Sequence, residues 1–367
     1  MTPPDVAGLL PTLPTSRAFA WARHSTFGGD GPPAGEVRAI VDAVRAGGDG
    51  ALTELAERFD GGHPAALRVP ASRCREALES LDAPRRAALE LARDNVARWH
   101  EAQRREEHPI ETVPGVRLWR EFRPIRRVGV YVPGGRAAYP SSLLMGVVPA
   151  KIAGCEEVVV CSPAGPGGEP AASVLAAAAL AEVDELYAVG GAHAVAALAF
   201  GTESIRPVDK IFGPGGAWVN AAKLAVFDTV AIDLPAGPSE VVVWADGSSD
   251  ADRIAAELVA QAEHGPDSRC GLALHGDRPD DLATLAAEVR VRLFERIDAL
   301  PTERREAATE SLAGGAAFIA RTAGDAARWI DEIAPEHLAI LAAKPRERLA
   351  QVSSAGAVFL GASSPVA

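Results

Sequence analysis

The segment "VGVYVPGGRAAYPSS", residues 128–142, begins with a short apolar run, turns at a Pro-Gly-Gly step and continues into a helix-like stretch. A short run of β-branched residues bounded by glycine and proline is typical of a buried strand. Four similar runs follow, each separated from the next by a helix-like stretch: "VVVC", "LYAVG", "KIFG" and "VAID". Strands that alternate with helices predict βαβ units and therefore a parallel sheet.

The same alternation starts again after "LPAGPSE", residues 234–240. The second series also has five apolar runs: "VVVWA", "GLALH", "AFIAR", "HLAIL" and "AVFLG". The two halves show no visible sequence repeat, but their similar strand counts predict a duplicated architecture. We therefore predict an α/β fold with two successive Rossmann-like parallel-sheet units, over residues 126–236 and 237–367.

Residues 1–125 have the pattern of a helical N-terminal region. Apolar residues recur at helical spacing in two segments separated at Gly47-Gly48, and a longer helical pattern covers about Ala83 to Glu107. We expect this region to pack on the second α/β unit.

Composition excludes several classes of protein. Hydrophobic residues make up 48% and charged ones 23%, which is the balance of a soluble globular chain. A net charge of -12 argues against a nucleic-acid partner, because phosphate binding needs a basic surface. We find no signal peptide or membrane-length apolar segment, and four cysteines without a CxxC pair indicate reduced thiols. The expected location is cytoplasmic, with no membrane partner.

Three glycine-containing turns follow predicted strands of the first unit: "YVPGGRAAYPSS", "GGAHA" and "FGPGGAWVN". Ligands of parallel sheets collect at the carboxyl ends of the strands, and glycines there let backbone N–H groups approach phosphate. None of the three is a GxGxxG motif, and tight turns of this kind are common. Alone, they favour nucleotide binding only weakly.

The segment "QAEHGPDS" places Gln261 and His264 at the end of a helix that starts near Ser249-Asp250. Residues three apart on a helix are neighbours, so both side chains project past the helix end. They form either a polar pair, with histidine bonded to the last carbonyl groups, or two ligands for one ion. The spacing alone favours the polar pair.

Two further candidates lie at element boundaries. Glu336 and His337, in "APEHLAIL", combine a carboxylate and an imidazole that could share acid–base work, although an isolated pair is more often a solvated loop. Ser239, in "PAGPSE", lacks the GxSxG context of a nucleophile. It is either a ligand contact or part of a turn.

The joint occurrence of these motifs closely resembles the histidinol dehydrogenase family. The matching strings extend over residues of about 36 to 365: "VRAGGDGALTELAERFDGG", "VGVYVPGGRAAYPSSLLMGVVPAKIAGC", "VGGAHAVAALAFGTESI", "VDKIFGPGGAWV", "AIDLPAGPSEVVV", "QAEHGPDSR", "APEHL" and "SAGAVFLGASSP". The resemblance implies oxidation of L-histidinol to L-histidine through the aldehyde, in histidine biosynthesis. It also implies two NAD molecules per reaction, a zinc ion, and a homodimer whose sites combine both chains.

The resemblance assigns roles to the candidate residues. Gln261 and His264 match zinc ligands, and Glu336 and His337 match the acid–base pair. His337 would take the alcohol proton, while Glu336 would activate the water that attacks the aldehyde. Together with Ser239, these four residues also match contacts to the substrate.

The cofactor positions depart from the family pattern. Tyr131 matches a contact to NAD, but His193 replaces a glutamine and Gly216 replaces an asparagine that contact NAD in the family. Histidine can still donate one hydrogen bond, whereas glycine has no side chain to offer. The sequence therefore leaves the mode of cofactor binding open.

The sequence stops at "GASSPVA", before the family segments that carry an aspartate and a histidine zinc ligand and the dimer-forming region. Two ligands alone would hold zinc weakly. Three interpretations follow: a truncated histidinol dehydrogenase, a paralogue that oxidises another amino alcohol, or an inactive binding or scaffold relic. Because the core motifs are intact, we favour the first.

Overall fold

The computed structural model describes residues 8–14, 21, 34–60, 62, 64, 66–105, 107–134, 138–234 and 239–366. They form two compact units. The first unit is Asp30–Ala236, and the second combines Met1–Gly29 with Gly237–Ala367. No helix among the described residues is long and apolar enough to cross a membrane.

The first unit contains seven helices and eight strands within the described residues. The helices are α1 (Ala34–Phe59), α2 (Ala71–Glu79), α3 (Ala83–Glu101), α4 (Pro140–Ala153), α5 (Ala172–Leu180), α6 (Gly191–Phe200) and α7 (Ala217–Ala225). The strands are β1 (Arg68–Val69), β2 (Ile110–Val113), β3 (Val116–Leu118), β4 (Arg127–Tyr131), β5 (Glu157–Cys161), β6 (Glu185–Tyr187), β7 (Lys210–Phe212) and β8 (Ala231–Ile232).

The described part of the second unit contains five helices and five strands. The helices are α8 (Ala251–Ala262), α9 (Pro279–Asp298), α10 (Thr302–Ala313), α11 (Ala323–Ile333) and α12 (Pro345–Leu349). The strands are β9 (Glu240–Asp246), β10 (Arg269–His275), β11 (Ala316–Ala320), β12 (His337–Ile340) and β13 (Ala357–Leu360).

The two main sheets share one strand order, which confirms the predicted pair of Rossmann-like units. In the first sheet the order is β1-β6-β5-β4-β7-β8, and in the second it is β11-β10-β9-β12-β13. Leaving out β1, both correspond to the order 3-2-1-4-5, with the reversal beside the first strand of each series. The short β1 is an addition that was not predicted, and it pairs antiparallel with β6.

Burial on both faces explains why the strands read as continuous apolar runs. In β9, Val241 and Val243 pack in one core with Leu258 of α8. Val242 and Trp244 of the same strand pack in the opposite core with α11. Parallel sheets covered by helices on both faces require apolar residues at successive positions, which is the pattern seen in the sequence.

The expectation that residues 1–125 pack on the second unit is wrong for the helices. α1 packs on α6 and α7, α2 on α5, and α3 on α4, all within the first unit. The apolar stripe of α1, which includes Val37 and Val41, joins the core of that unit. Leu9 and Leu10 do pack in the second unit, so the region divides between the two. A helical stripe defines a buried face but not its partner.

Residues 110–118 were assigned to the helical region, but they form the hairpin β2–β3. Every residue of both strands is exposed, so neither strand has the buried face by which a half-buried strand is usually recognised. The turn itself had a signal, since Pro114-Gly115 is a turn dipeptide and Gly115 has φ of +85°. α1 is predicted correctly as two helical segments, because its backbone is non-helical at Gly48.

We expect His275 to make the second unit less stable in acid. Burial lowers the pKa of His275 below 6.5, the positive charge of Arg348 adds to this, and Asp246 partly opposes it. Nε1 of Trp244 lies 3.0 Å from Nδ1 of His275 and donates to it when that nitrogen is unprotonated. The carbonyl oxygen of Ala245, 3.2 Å from the same nitrogen, also partly opposes the lowering of the pKa. The unfolded chain therefore binds a proton that the folded chain resists, so stability falls as the pH decreases through about 6.5.

Urea unfolding midpoints measured between about pH 7.5 and pH 5.5 test this. The midpoint of the unchanged protein should fall more steeply with decreasing pH than that of His275→Gln, whose side chain does not titrate. Equal slopes for the two proteins would show that His275 contributes nothing to acid sensitivity.

Candidate active site

Glu336 and His337 lie at the amino end of β12, immediately after α11. The Glu336 side chain is 52% exposed and that of His337 25%, and Nδ1 of His337 lies 3.8 Å from Oε2 of Glu336. This distance is too long for a hydrogen bond. The buried Nδ1 has no hydrogen-bond partner within the described part of the chain. This nitrogen is thus a buried polar atom left without a partner beside the Glu336 carboxylate.

Gln261 and His264 lie at the end of α8. As predicted, the helix is capped by Asp250, whose side chain accepts hydrogen bonds from the backbone N–H groups of Asp252 and Arg253. Gln261 is buried, and its Nε2 has no partner among the described residues. His264 is exposed, with Nδ1 3.3 Å from the carbonyl oxygen of Gln261. The His264 ring therefore lies beside a carbonyl group of the helix end, whereas Nε2 of Gln261 makes no hydrogen bond within the described chain.

His337 faces the side of the second sheet that α8 covers. Its register neighbour Val241, on β9, and Ala339, two residues along β12, both pack in the core that contains Leu258 of α8. Because side chains alternate between the faces of a sheet, His337 shares their face. α8 runs back from the carboxyl end of β9 to the amino end of β10, so Gln261 lies at the same edge.

This edge is the amino edge of the second sheet. Ser239 immediately precedes β9, and its carbonyl oxygen accepts a hydrogen bond of 3.0 Å from the backbone N–H of Arg269. The structure thus brings Ser239, Glu336 and His337 to the edge opposite the one where ligands of such sheets usually bind. Residues 235–238 of the motif "PAGPSE" lie outside the described residues.

Glu240 is a residue of this edge that sequence reasoning missed. Its backbone N–H donates to Oε2 of Glu336 over 3.3 Å. Burial raises the pKa of Glu240, the charge of Glu336 adds to this, and Arg269 opposes it. The available signal was the carboxylate directly after Ser239 in "PAGPSE". The Glu240 backbone contributes to holding Glu336 at the entrance of β12.

The described residues fit part of a zinc site. No group of three or more His, Cys, Asp or Glu side chains within them could hold a metal ion. Gln261 and His264 provide an amide and an imidazole at one helix end. Rotation of the Gln261 amide exchanges its oxygen and nitrogen, so the unpaired position can present an oxygen ligand. Within the described chain, Gln261 and His264 thus offer two side chains able to coordinate a metal ion, which is fewer than the complete shell of a zinc site.

The first unit contains two adjoining cavities at the carboxyl edge of its sheet. One has a volume of about 410 Å³ and is lined by the aromatic rings of Phe59, Tyr131, His193 and Trp218, among others. The other has a volume of about 570 Å³ and is lined by the loop of residues 162–167. Three residues line both cavities: Asp60, Gly134 and Pro163. Residues 135–137 of the first glycine turn lie outside the described residues.

Asp60 is a second residue that sequence reasoning missed, and its only signal was its place in "RFDGG". Oδ2 of Asp60 accepts a hydrogen bond of 2.7 Å from the N–H of Gly190 and lies 3.2 Å from Nε2 of His193. The Tyr131 hydroxyl accepts a hydrogen bond of 3.1 Å from the N–H of Gly191. Burial raises the pKa of Tyr131 to about 12, and the charge of Asp60 contributes, so the phenol is neutral at pH 7.

The turn that contains Gly216 is anchored at its other end. Gly213 donates its N–H to Oδ2 of Asp233 over 2.8 Å and accepts a hydrogen bond of 2.8 Å from Nζ of the buried Lys223. Lys223 also forms an ion pair with Asp233. Gly216 itself is the N-cap residue of α7. Apart from its chain neighbours, no described residue has an atom within 4 Å of the place where a Cβ would be.

Comparison with known proteins identifies the family of this chain. The family model described as Histidinol dehydrogenase matches residues 32–367. A curated histidinol dehydrogenase from Vibrio parahaemolyticus is 44% identical over 329 residues, covering 89% of this chain and 74% of the relative. Another, from Methanothermobacter thermautotrophicus, is 44% identical over 334 residues, covering 91% of this chain and 76% of the relative.

The fold agrees as well. The crystal structure of histidinol dehydrogenase from Elizabethkingia anophelis superposes with a TM-score of 0.89 at 31% identity, covering 98% of this chain and 81% of that chain. Sequence and structure therefore lead to the same conclusion. The chain belongs to the histidinol dehydrogenase family of oxidoreductases.

Proposed function

We propose that this protein oxidises L-histidinol to L-histidine in two NAD-dependent steps, through the aldehyde. The observation that carries the proposal is the pair Glu336-His337. Nδ1 of His337 lies 3.8 Å from the Glu336 carboxylate, is buried and has no hydrogen-bond partner within the described chain. The pair lies at the sheet edge that also receives Ser239 and the end of α8. Ser239, Gln261 and His264 are the proposed further contacts to the substrate.

Each proposed role follows from the chemistry of the side chain. His337 takes the proton of the alcohol as a hydride leaves the adjacent carbon, since imidazole titrates near neutral pH. Glu336 takes a proton from the water that adds to the aldehyde carbon. The proton on His337 passes to the aldehyde oxygen as the hydrate forms, so His337 can then accept a hydroxyl proton of the hydrate as the second hydride leaves. Both side chains and the acid product release their protons to solvent, and the carboxylate results. NAD, when bound, supplies the hydride acceptor for both oxidations.

The two cavities of the first unit form the proposed NAD site. Tyr131 and Trp218 offer aromatic surface for a planar ring, and the adjoining cavity around residues 162–167 offers room for an extended ligand. The cavities also lie at the carboxyl edge, where strand order reverses between β4 and β7. His193 and Gly216 take the positions of the family's NAD-contacting side chains.

Zinc is the proposed metal, with Gln261 and His264 as two of its ligands. It would supply a Lewis acid that polarises the substrate oxygen. The metal content of the purified protein tests this, compared with that of a Gln261→Ala, His264→Ala double variant. Equal zinc content in the two proteins would exclude these residues as ligands.

We expect Gly216→Asn to strengthen NAD binding. The glycine has an ordinary φ of -66° and open space beside it, so asparagine fits without strain and adds a hydrogen-bonding side chain. One neutral hydrogen bond is worth about 0.5–1.5 kcal/mol, which predicts a KM for NAD that is about two- to tenfold lower. The matched control is Gly216→Ala, which adds a Cβ but no polar group. Similar KM values for the two variants would show that position 216 does not contact the cofactor.

We also propose a homodimer, because exposed apolar side chains cluster on and beside the hairpin β2–β3: Ile110, Val113, Val116, Leu118, Trp119 and Phe122. Patches of this kind mark interaction surfaces in soluble proteins. Sedimentation of the protein and of Leu118→Glu tests whether the patch joins two copies.

A cytosolic location is proposed from the four cysteines, all of which are unpaired.

A substrate panel tests the proposed reaction. NADH formation is measured with L-histidinol, L-leucinol and imidazole-ethanol, in the presence of NAD and zinc. We expect kcat/KM to be at least about tenfold higher for L-histidinol, because missing substrate groups leave buried polar groups unpaired. A faster reaction with another amino alcohol would indicate a paralogue, a possibility raised by the changes at His193 and Gly216. No reaction with any of them would contradict the proposal.

A further inference from the structure

In each unit, the first two strands of the parallel series begin with residues of opposite charge. In the first unit, Arg127 of β4 is the register partner of Glu157 of β5. In the second unit, Glu240 of β9 is the register partner of Arg269 of β10. The two pairs hold equivalent places at the amino edges of sheets with the same strand order, but their charges are exchanged. The two amino edges can therefore be compared residue by residue.

The pair in the first unit is closed by internal ion pairs. The Arg127 side chain is 3% exposed and forms ion pairs with Glu157 and Glu185. Nη2 of Arg127 also lies 3.3 Å from the carbonyl oxygen of Arg206 and donates to it. A buried cation needs such compensation. The acidic groups of this edge are therefore committed to one internal cation.

The pair in the second unit is open. Arg269 acts on Glu240 through its charge rather than through a hydrogen bond between the two described side chains. The Arg269 guanidinium donates instead to the carbonyl oxygen of Trp21, and it lies over the Trp21 ring, 5.3 Å from the centroid. Nε1 of Trp21 donates to the carbonyl oxygen of Gly314 over 3.0 Å, which fixes the indole. Trp21 therefore holds the guanidinium away from the carboxylate on the neighbouring strand.

Glu240 makes its contacts with Glu336 instead. The backbone N–H of Glu240 donates to Oε2 of Glu336 over 3.3 Å. In the other direction, the backbone N–H of Glu336 faces the Glu240 carboxylate and stabilises its charge. Burial raises the pKa of Glu240, and the N–H of Glu336 and the charge of Arg269 oppose this rise. Glu240 thus holds both the backbone and the carboxylate of Glu336.

We propose that Glu240 is a positioning residue for Glu336 in the proposed oxidation of the aldehyde. Trp21 holds Arg269 and so leaves Glu240 free for this role. The role rests on the proposed function and deepens it. A carboxylate that takes a proton from attacking water must be held within reach of that water. Because the Glu336 side chain is 52% exposed, the contacts with Glu240 restrict a group that solvent alone would not hold in place.

Separate measurement of the two oxidations tests the role of Glu240. The first rate is that of NADH formation in a single turnover with L-histidinol and limiting NAD. The second is kcat for NADH formation from the aldehyde, L-histidinal. In the proposed reaction Glu336 first acts when water adds to the aldehyde, so its displacement lowers the second rate relative to the first. A general loss of stability lowers both rates together and leaves their ratio unchanged.

Glu240→Ala removes the acceptor for the Glu336 N–H and the counter-charge of Arg269. The ratio of the second rate to the first should fall at least about fivefold, since a small displacement of a reacting group is costly. Glu240→Gln keeps an acceptor of the same shape, so the ratio should fall by only about two- to threefold. The exposed Glu288 provides the control, and Glu288→Ala should leave the ratio unchanged. An unchanged ratio in Glu240→Ala overturns the proposal.

Trp21→Leu tests the hold on Arg269. Loss of the indole removes the stacking surface and the bond to Gly314, so the guanidinium is free to pair with the carboxylates of Glu240 and Glu336. The ratio should fall in this variant. It should recover in the double variant Trp21→Leu, Arg269→Met, which has no cation to release. Equal ratios in the single and the double variant overturn the role of Trp21.

The same assays separate a failure of this role from a failure of the proposed function. If the unchanged protein converts L-histidinol to L-histidine while Glu240→Ala keeps its ratio, the proposed function stands and the role of Glu240 is overturned. If the unchanged protein forms no NADH from either substrate, the proposed function is overturned, and the role of Glu240 with it.

Discussion

Replacing His337 with asparagine should lower kcat for L-histidinol by about 10²- to 10⁴-fold, the usual contribution of a positioned general base. Nδ1 of His337 is buried and has no hydrogen-bond partner within the described chain. The imidazole shares the sheet face covered by α8 with the proposed ligand Gln261. Glu336→Gln should also abolish most turnover, because an amide cannot take the proton of the attacking water.

Steady-state kinetics of the two variants and one control decide this. Glu332 is exposed and lies one helical turn before the pair, in α11. Glu332→Gln changes the same kind of charge nearby and should retain the original kcat. A His337→Asn protein with kcat within about threefold of the unchanged protein would remove His337 from the proposed mechanism.

Gly213→Ala should lower the free energy of unfolding by roughly 2–5 kcal/mol, through backbone strain and overpacking together. Gly213 has φ of +119°, a conformation that L side chains rarely adopt, and a Cβ there would overlap the carbonyl oxygen of Tyr131. β4 and β7 would have to separate. Since Tyr131 lines the aromatic cavity, NAD binding should weaken as well.

Urea unfolding and NAD titration measure both effects. The matched control is Gly216→Ala, three residues further along the same turn, where a Cβ meets open space. That variant should unfold within about 1 kcal/mol of the unchanged protein, as expected for an alanine at an N-cap. Similar stability of Gly213→Ala and Gly216→Ala would contradict the claim that the turn is anchored at Gly213.

The ten strands of the two main series were predictable because sheets covered on both faces produce apolar runs with glycine or proline at their ends. The hairpin β2–β3 was not, since all of its side chains are exposed. The packing of α1 was not predictable either. Its apolar stripe is visible in the sequence, but contact with α6 and α7 depends on residues more than a hundred positions away.

The local motifs of the candidate site could be recognised in the sequence because their residues lie close together along the chain. Glu336 and His337 are adjacent, and Gln261 and His264 lie three residues apart at the end of α8, so their proximity follows from spacing. Asp60 could not be recognised in this way, because it meets His193 across 133 positions. The glycine turn beside it was read as a possible phosphate cradle. The hydrogen bonds from Gly190 and Gly191 show that two of its N–H groups are already bonded within the protein.

The central claim is a four-electron oxidation, and the most direct measurement is the stoichiometry of a reaction run to completion. The amounts of NADH and L-histidine formed per L-histidinol consumed are determined with NAD and zinc in excess. We predict two NADH and one L-histidine for each L-histidinol, with no aldehyde remaining. One NADH with accumulated aldehyde would contradict the second oxidation, and no NADH would contradict the proposed function as a whole.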